Sequence, residues 1–266
     1  MLLVIDAGNT NVSLAVYRDV NLVVQWRLST DQNRTSDEYG VQVRDLFEFT
    51  GIDSKAVNAV AIASVVPVLN RTLRQMIEVY FALTPLFVDH TTDTGLKILY
   101  EPPSDVGADR IVDAVAAIDK YGAPCIIVDF GTATTFNVVN AAREYVGGVI
   151  APGIMISSEA LFSRAAKLPR VEISRPDKVI GTSTIGAMQS GIYHGYAGLV
   201  DGVLEQIVAE MNAKPRVIAT GGLAPLIASG SKVIEEVDET LTLEGLRLVY
   251  ERSTSPAKAQ RRKEGS

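Results

Sequence analysis

The chain has a single cysteine, two histidines and one tryptophan among its 266 residues. One cysteine cannot build a disulfide framework, and with His90 and His194 standing alone there is no cluster with zinc-ligand spacing, so a transition-metal enzyme is not expected. Cys125 lies within an apolar run and reads as a small buried side chain. Basic residues are also in deficit: Lys and Arg number 25 against 31 Asp and Glu, for a net charge of −6. That balance argues against a nucleic-acid partner, which needs a basic face, and against a membrane surface. Long uninterrupted apolar runs are missing too. The amino terminus has no basic segment and meets Asp6 after five residues, so neither a leader peptide nor a spanning helix is expected, and the protein is expected in the cytoplasm.

What is present is a soluble-type composition, 47% hydrophobic and 21% charged, long enough for one large domain or two similar halves. An internal echo favours two halves. Val4-Ile5-Asp6-Ala7-Gly8-Asn9-Thr10 resembles Ile127-Val128-Asp129-Phe130-Gly131-Thr132-Ala133, and each is followed by a further apolar run, Val12 to Tyr17 and Phe136 to Val139. Strand, Asp-x-Gly turn, strand is the pattern of a hairpin, because glycine accepts backbone angles that other residues resist.

Leu22 to Leu28 then predicts a third strand, Asp37 to Thr50 a helix, Val60 to Val66 a buried strand and Leu69 to Phe81 another helix. This alternation points to an α/β class. The halves are expected to divide between Asp105 and Pro124, as 1–115 and 116–252, with a ligand cleft where they meet. A helix from Arg110 to Tyr121 should turn Ile111, Ala114, Val115 and Ile118 inward and Asp113, Ala117 and Lys120 outward. A long helix is predicted from Thr184 to Met211 although it carries Gly186, Gly191, Gly195, Gly198 and Gly202. Each glycine costs roughly 1 kcal/mol against alanine in a helix, so close approach of another backbone is expected, within the subunit or across a dimer. Residues 253–266, with Lys258, Arg261, Arg262 and Lys263, read as a solvated, disordered tail.

Two Asp-x-Gly turns acting together suit a magnesium nucleotide. Backbone N–H groups in the turns can donate to phosphate oxygens, with Asn9, Thr10, Thr132, Thr134 and Thr135 as further donors. Asp6 and Asp129 can hold the neutralising cations. Val217 to Ala219 runs into Thr220-Gly221-Gly222, where paired glycines would admit a flat ring such as adenosine; a bare strand-to-helix turn would look the same. In Tyr100 and Pro102 to Arg110, Asp105 or Asp109 could cap the following helix. Equally, Arg110 could take a substrate carboxylate in a fork while Asp109 orients a hydroxyl.

Asp6-x-Gly8-Asn9-Thr10, Gly107-Ala108-Asp109-Arg110, Asp129-x-Gly131-Thr132-Ala133-Thr134-Thr135 and Thr220-Gly221-Gly222, in this order and spacing, resemble the type III pantothenate kinases. Ala151-Pro152-Gly153-Ile154, Ser163 to Pro169 and Met188 to Gly191 extend the resemblance, which runs from Met1 to about Arg252. It implies a duplicated actin-like ATPase, ribonuclease H-like fold with mixed sheets flanked by helices. It implies ATP at Asp6, Ala7, Gly8, Asn9, Thr10, Asn11, Val12, Ser13, Thr132, Thr220, Gly221 and Gly222, with magnesium near Asp6. Asp109 matches the catalytic base; Tyr100, Gly107, Ala108, Arg110 and Thr184 match the pantothenate site; Asp129 matches the ligand of potassium or ammonium. A homodimer is implied as well. The chain departs from the family at Ala15, where glycine is common. Other small-molecule kinases, phosphatases and non-catalytic nucleotide-binding regulators share the two phosphate turns and stand as alternatives.

Overall fold

The structure is a computed structural model, and residues 1–165 and 167–254 are described. The basic tail expected at 253–266 falls almost wholly outside them. The chain forms two compact units, Met1–Ala116 together with the described residues from Thr242 on, and Ala117–Leu241.

In the first unit β1 (Leu2–Ala7), β2 (Asn11–Arg18) and β3 (Asn21–Ser29) form an antiparallel set. After α1 (Ser36–Phe49), β4 (Ala59–Ser64) joins parallel to β1, and after α2 (Pro67–Phe81) a short β5 (Leu86–Phe87) joins β4, for the order β3-β2-β1-β4-β5. A two-residue β6 (Lys97–Ile98) precedes α3 (Ala108–Tyr121). The antiparallel hairpins need only short turns, whereas each parallel step needs a helical crossover, which α1 and α2 supply. Thr35 and Glu38 close a reciprocal capping box at the start of α1, and Pro67 opens α2 where no amide is needed. Leu3, Ile5, Leu14 and Ile62 from the sheet bury against Phe47, Leu69, Leu73 and Ile77 of the helices. Each such side chain contributes roughly 1.5–3 kcal/mol relative to exposure.

The second unit repeats this plan: β7 (Cys125–Phe130), β8 (Ala133–Val139) and β9 (Glu144–Pro152) are antiparallel. α4 (Ile154–Arg164) and α5 (Thr184–Met211) follow. β10 (Arg216–Thr220) runs parallel to β7, α6 (Ala224–Ala228) follows it, and β11 (Glu236–Val237) runs parallel to β10, before α7 (Leu241–Thr254). The order β11-β10-β7-β8-β9 mirrors that of the first unit, the arrangement of a duplicated ribonuclease H-like, actin-like ATPase fold. Ile126, Ile127 and Val128 are fully buried, as a central strand covered on both faces requires. Tyr193, Tyr196, Val200 and Leu204 of α5 recur at helical spacing on the same core.

Two expectations need correction. Asp113 and Ala117 are buried rather than turned outward. α7 returns from the far end of the chain to the first unit, and its Gly245 packs so tightly on the Val112 carbonyl that a methyl group there would overlap it. α7 thus packs on α3 at Val112, next to the buried Asp113. Of the α5 glycines, Gly186 does receive another backbone, that of Gly181, whereas Gly191, Gly195, Gly198 and Gly202 meet none among the described residues and face open space.

Candidate active site

Gly8 ends the first turn with its N–H donating to Asn11 O at 2.9 Å, and Asn9 and Thr10 stand exposed at its tip. Asp6 lies one residue inside the strand end, paired with Ser13 on β2 and Ala63 on β4. Ala7, Asn11 and Val12 complete the hairpin, Ala7 and Val12 being buried beneath it. Ala15 sits within β2, opposite Val4 and fully buried, clear of the turn tip; its methyl group belongs to the core and not to the backbone of the turn.

Asp109 occupies the first turn of α3, and its Oδ1 accepts the Arg110 N–H at 2.7 Å. It therefore satisfies a free helix N–H, as the capping alternative anticipated. Burial pushes its carboxyl above the ordinary range, against the opposing hydrogen bond and charge of Arg110. Gly107 makes room for this carboxylate, since a Cβ there would overlap Asp109 Oδ1 and stand 3.2 Å from Val65 Cγ1. Val65 in turn donates its N–H to Ala7 O at 3.1 Å. Asp109, Gly107, Val65 and Ala7 thus form a continuous path to the first turn. Arg110 is buried with its guanidinium 5.9 Å from the Tyr100 ring, so these two residues also meet, and Ala108 is buried beside them. Thr184 opens α5 in the second unit and is exposed.

The second turn is built by Asp129, Gly131 and Thr132, with Gly131 N–H donating to Ala133 O at 3.1 Å. Thr220 pairs with Asp129 across β10 and β7, so the two loops are direct neighbours. Gly221 then adopts φ +90°, and a Cβ on it would lie 2.6 Å from Asp129 Oδ1 and 2.7 Å from Phe130 O. Only glycine fits there, on both counts. Gly153 is constrained by space alone, because a side chain would overlap Thr132 O and come within 2.7 Å of Gly131 O. Gly222 is exposed beyond the turn.

These contacts leave a carboxylate and several backbone carbonyls gathered around bare glycine α-carbons. That donor set suits a hard cation of low charge. Among the described residues no three His, Cys, Asp or Glu side chains gather as a metal cluster. Asp6, a single carboxylate, fits a magnesium ion that arrives with nucleotide phosphates, which needs few protein ligands.

Sequence reading missed Asp238. Its carboxylate accepts Lys120 Nζ at 2.6 Å, Tyr121 OH at 3.0 Å and the Thr240 N–H at 3.1 Å, while its own N–H donates to Ala219 O at 2.8 Å beside Thr220. Burial opposes its charge, but these hydrogen bonds hold its carboxyl below the usual range. Lys120 and Asp238 are 118 residues apart, and no local pattern links them.

The sequence model of the type III pantothenate kinase family matches residues 2–206. A type III pantothenate kinase of Koribacter versatilis is 55% identical over 265 residues, covering 96% of this chain and 97% of that protein. One from Halalkalibacterium halodurans is 53% identical, covering 95% of this chain and all of that one. Among solved structures, an activator of 2-hydroxyisocaproyl-CoA dehydratase from Clostridium difficile with bound ADPNP superposes with a TM-score of 0.55 at 12% identity, over 98% of this chain and 97% of that one. A ROK hexokinase from Thermus thermophilus gives 0.50 at 12% identity, over 93% and 97% of the two chains. These distant likenesses bear on the fold alone; the matches over nearly the full length at more than half identity establish that the chain belongs to the type III pantothenate kinase family.

Proposed function

We propose that the chain transfers the γ-phosphoryl group of ATP to the primary hydroxyl of pantothenate, giving 4′-phosphopantothenate, the first step of coenzyme A biosynthesis. The observation that supports this reading is that the Asp109 carboxylate and Val65 both crowd the open side of Gly107, with the Val65 N–H donating to Ala7 O just ahead of the first turn.

In this reading the residues from Asp6 to Ser13, with Thr132 and Thr220 to Gly222, bind the nucleotide. Arg110 takes the pantothenate carboxylate, with Tyr100, Gly107, Ala108 and Thr184 completing that site. A buried arginine fixed near an aromatic ring is well prepared for such a fork, because little side-chain freedom is left to lose. Asp109 orients the hydroxyl and accepts its proton late, as a loose transition state allows. Its raised proton affinity fits that task. Bound magnesium, near Asp6, supplies charge neutralisation on the phosphates. Asp129 and the neighbouring carbonyls are suited to potassium or ammonium.

We also assign a homodimer. Gly191, Gly195, Gly198 and Gly202 recur on one exposed face of α5, and their open surroundings leave room for a second backbone. The one free, buried cysteine suits a reducing compartment, in keeping with a cytoplasmic enzyme.

ADP release by the purified protein tests the function. With MgATP and potassium, release should require pantothenate and should fall when sodium replaces potassium. Release without pantothenate would point to a phosphatase or ATPase. Absence of release under every condition would point to a nucleotide-binding regulator or a different acceptor.

A further inference from the structure

Thr30, the residue directly after β3, makes two hydrogen bonds to the first turn. Its Oγ1 donates to Gly8 O at 2.6 Å and its N–H donates to Thr10 O at 3.0 Å. The carbonyl and the following N–H of a trans peptide point to opposite sides of the chain. Among the described residues the cis peptides are those preceding Pro102 and Pro124, so the Gly8–Asn9 peptide is trans. Drawing Gly8 O toward Thr30 therefore turns the Asn9 N–H the other way, at a residue that is exposed at the tip of the turn.

From this geometry we infer that Thr30 is a positioning residue for phosphoryl transfer: its hydroxyl fixes the Gly8–Asn9 peptide so that the Asn9 N–H is presented to a nucleotide phosphate. The inference rests on the reading of Asp6 to Ser13 as an ATP-binding turn. Without the hydroxyl, the peptide gains freedom to rotate, and the amide must be ordered at the moment of binding. A hydrogen bond to a charged group is then weakened, which should appear as a loss of phosphate affinity of about tenfold.

The test compares Thr30→Val, which keeps the shape and removes the hydroxyl, with Thr30→Ser, which restores it; Thr30→Ala replaces the valine variant if that one does not fold. Binding of MgATP and of AMP is measured by calorimetry, together with kcat and the KM values for ATP and pantothenate. The expected result for valine is about tenfold weaker MgATP binding with AMP binding and the pantothenate KM unchanged, and for serine a return to within about twofold of wild type. Unchanged MgATP affinity in Thr30→Val, or an equal loss for MgATP and AMP, overturns the positioning role. Amide NMR shifts of residues 8–13 on addition of MgATP separate the two levels of the argument. If these amides shift while Thr30→Val binds MgATP normally, only the role of Thr30 falls; if none of them shifts, the ATP-binding turn itself is wrong and the role of Thr30 falls with it.

Discussion

The two Asp-x-Gly turns occupy equivalent places in the two units, yet they are restrained by opposite means. Each follows the first strand of an antiparallel set, and each closes on a glycine N–H, Gly8 to Asn11 O and Gly131 to Ala133 O. The residue after the third strand then approaches the glycine carbonyl. In the first unit it is Thr30, which satisfies Gly8 O with a hydroxyl. In the second it is Gly153, whose lack of a side chain lets its α-carbon pack against Gly131 O and Thr132 O. A hydroxyl directs a carbonyl through a hydrogen bond, whereas a bare α-carbon holds the turn by close packing.

The difference can be broken most sharply at the carboxylates. Asp109→Asn should lower kcat by about 10²–10⁴-fold while leaving MgATP affinity nearly unchanged, in potassium and sodium alike. Asp129→Asn should instead act mainly through the cation, raising the potassium concentration needed for half-maximal activity. Matching potassium curves for wild type and Asp129→Asn would leave the second turn without its distinguishing role.

Next in size is the contrast between glycines. Gly153→Ala forces a methyl group onto backbone carbonyls that cannot yield easily, and should cost about 1–3 kcal/mol in urea unfolding. Gly8→Ala, whose added carbon would meet Asn11 O at 3.2 Å, should cost less. Equal shifts in the two midpoints would mean that close packing is not what restrains the second turn.

A smaller effect separates the units by pH. The carboxyl of Asp109 is raised by burial, so its contribution to stability is present below the unfolded pKa and fades as pH rises through the folded one. Wild type should therefore lose ground to Asp109→Asn in that window, while its own kcat/KM rises. Asp238 has the opposite sign: its folded pKa is lowered, so its contribution is present above the unfolded pKa and is lost as pH falls through the folded value. Asp238→Asn should be destabilised at neutral pH and should converge with wild type on acidification. Denaturant midpoints across pH check both. The smallest effect is at Cys125, whose thiol burial pushes up to about 12; iodoacetamide should leave it unmodified until the protein is unfolded.

Much of this architecture was legible in advance. The hairpins at Asp6 and Asp129 rest on β-branched runs and a glycine turn within a dozen residues, and α5 has the predicted bounds, Thr184–Met211, despite its glycines. The burial of Asp113 is not legible in its own helix, because α7, which packs at the adjacent Val112, arrives from more than 120 residues away. Among the α5 glycines, Gly186 meets the Gly181 backbone, and the other four meet none among the described residues. Gly153 stood out in the sequence without a role, and Thr30 did not stand out at all.

The sequence by itself determined the alternation of strands and helices, the two Asp-x-Gly turns and the family, because side-chain periodicity and glycine's backbone freedom act over a few residues. Only the tertiary structure decided that Thr30 reaches Gly8, that Gly153 packs on Gly131 and Thr132, and that Asp109 and Val65 meet around Gly107. Those relations depend on sheet register and on which element covers which, and contacts between distant segments leave no periodic trace in the residues that make them.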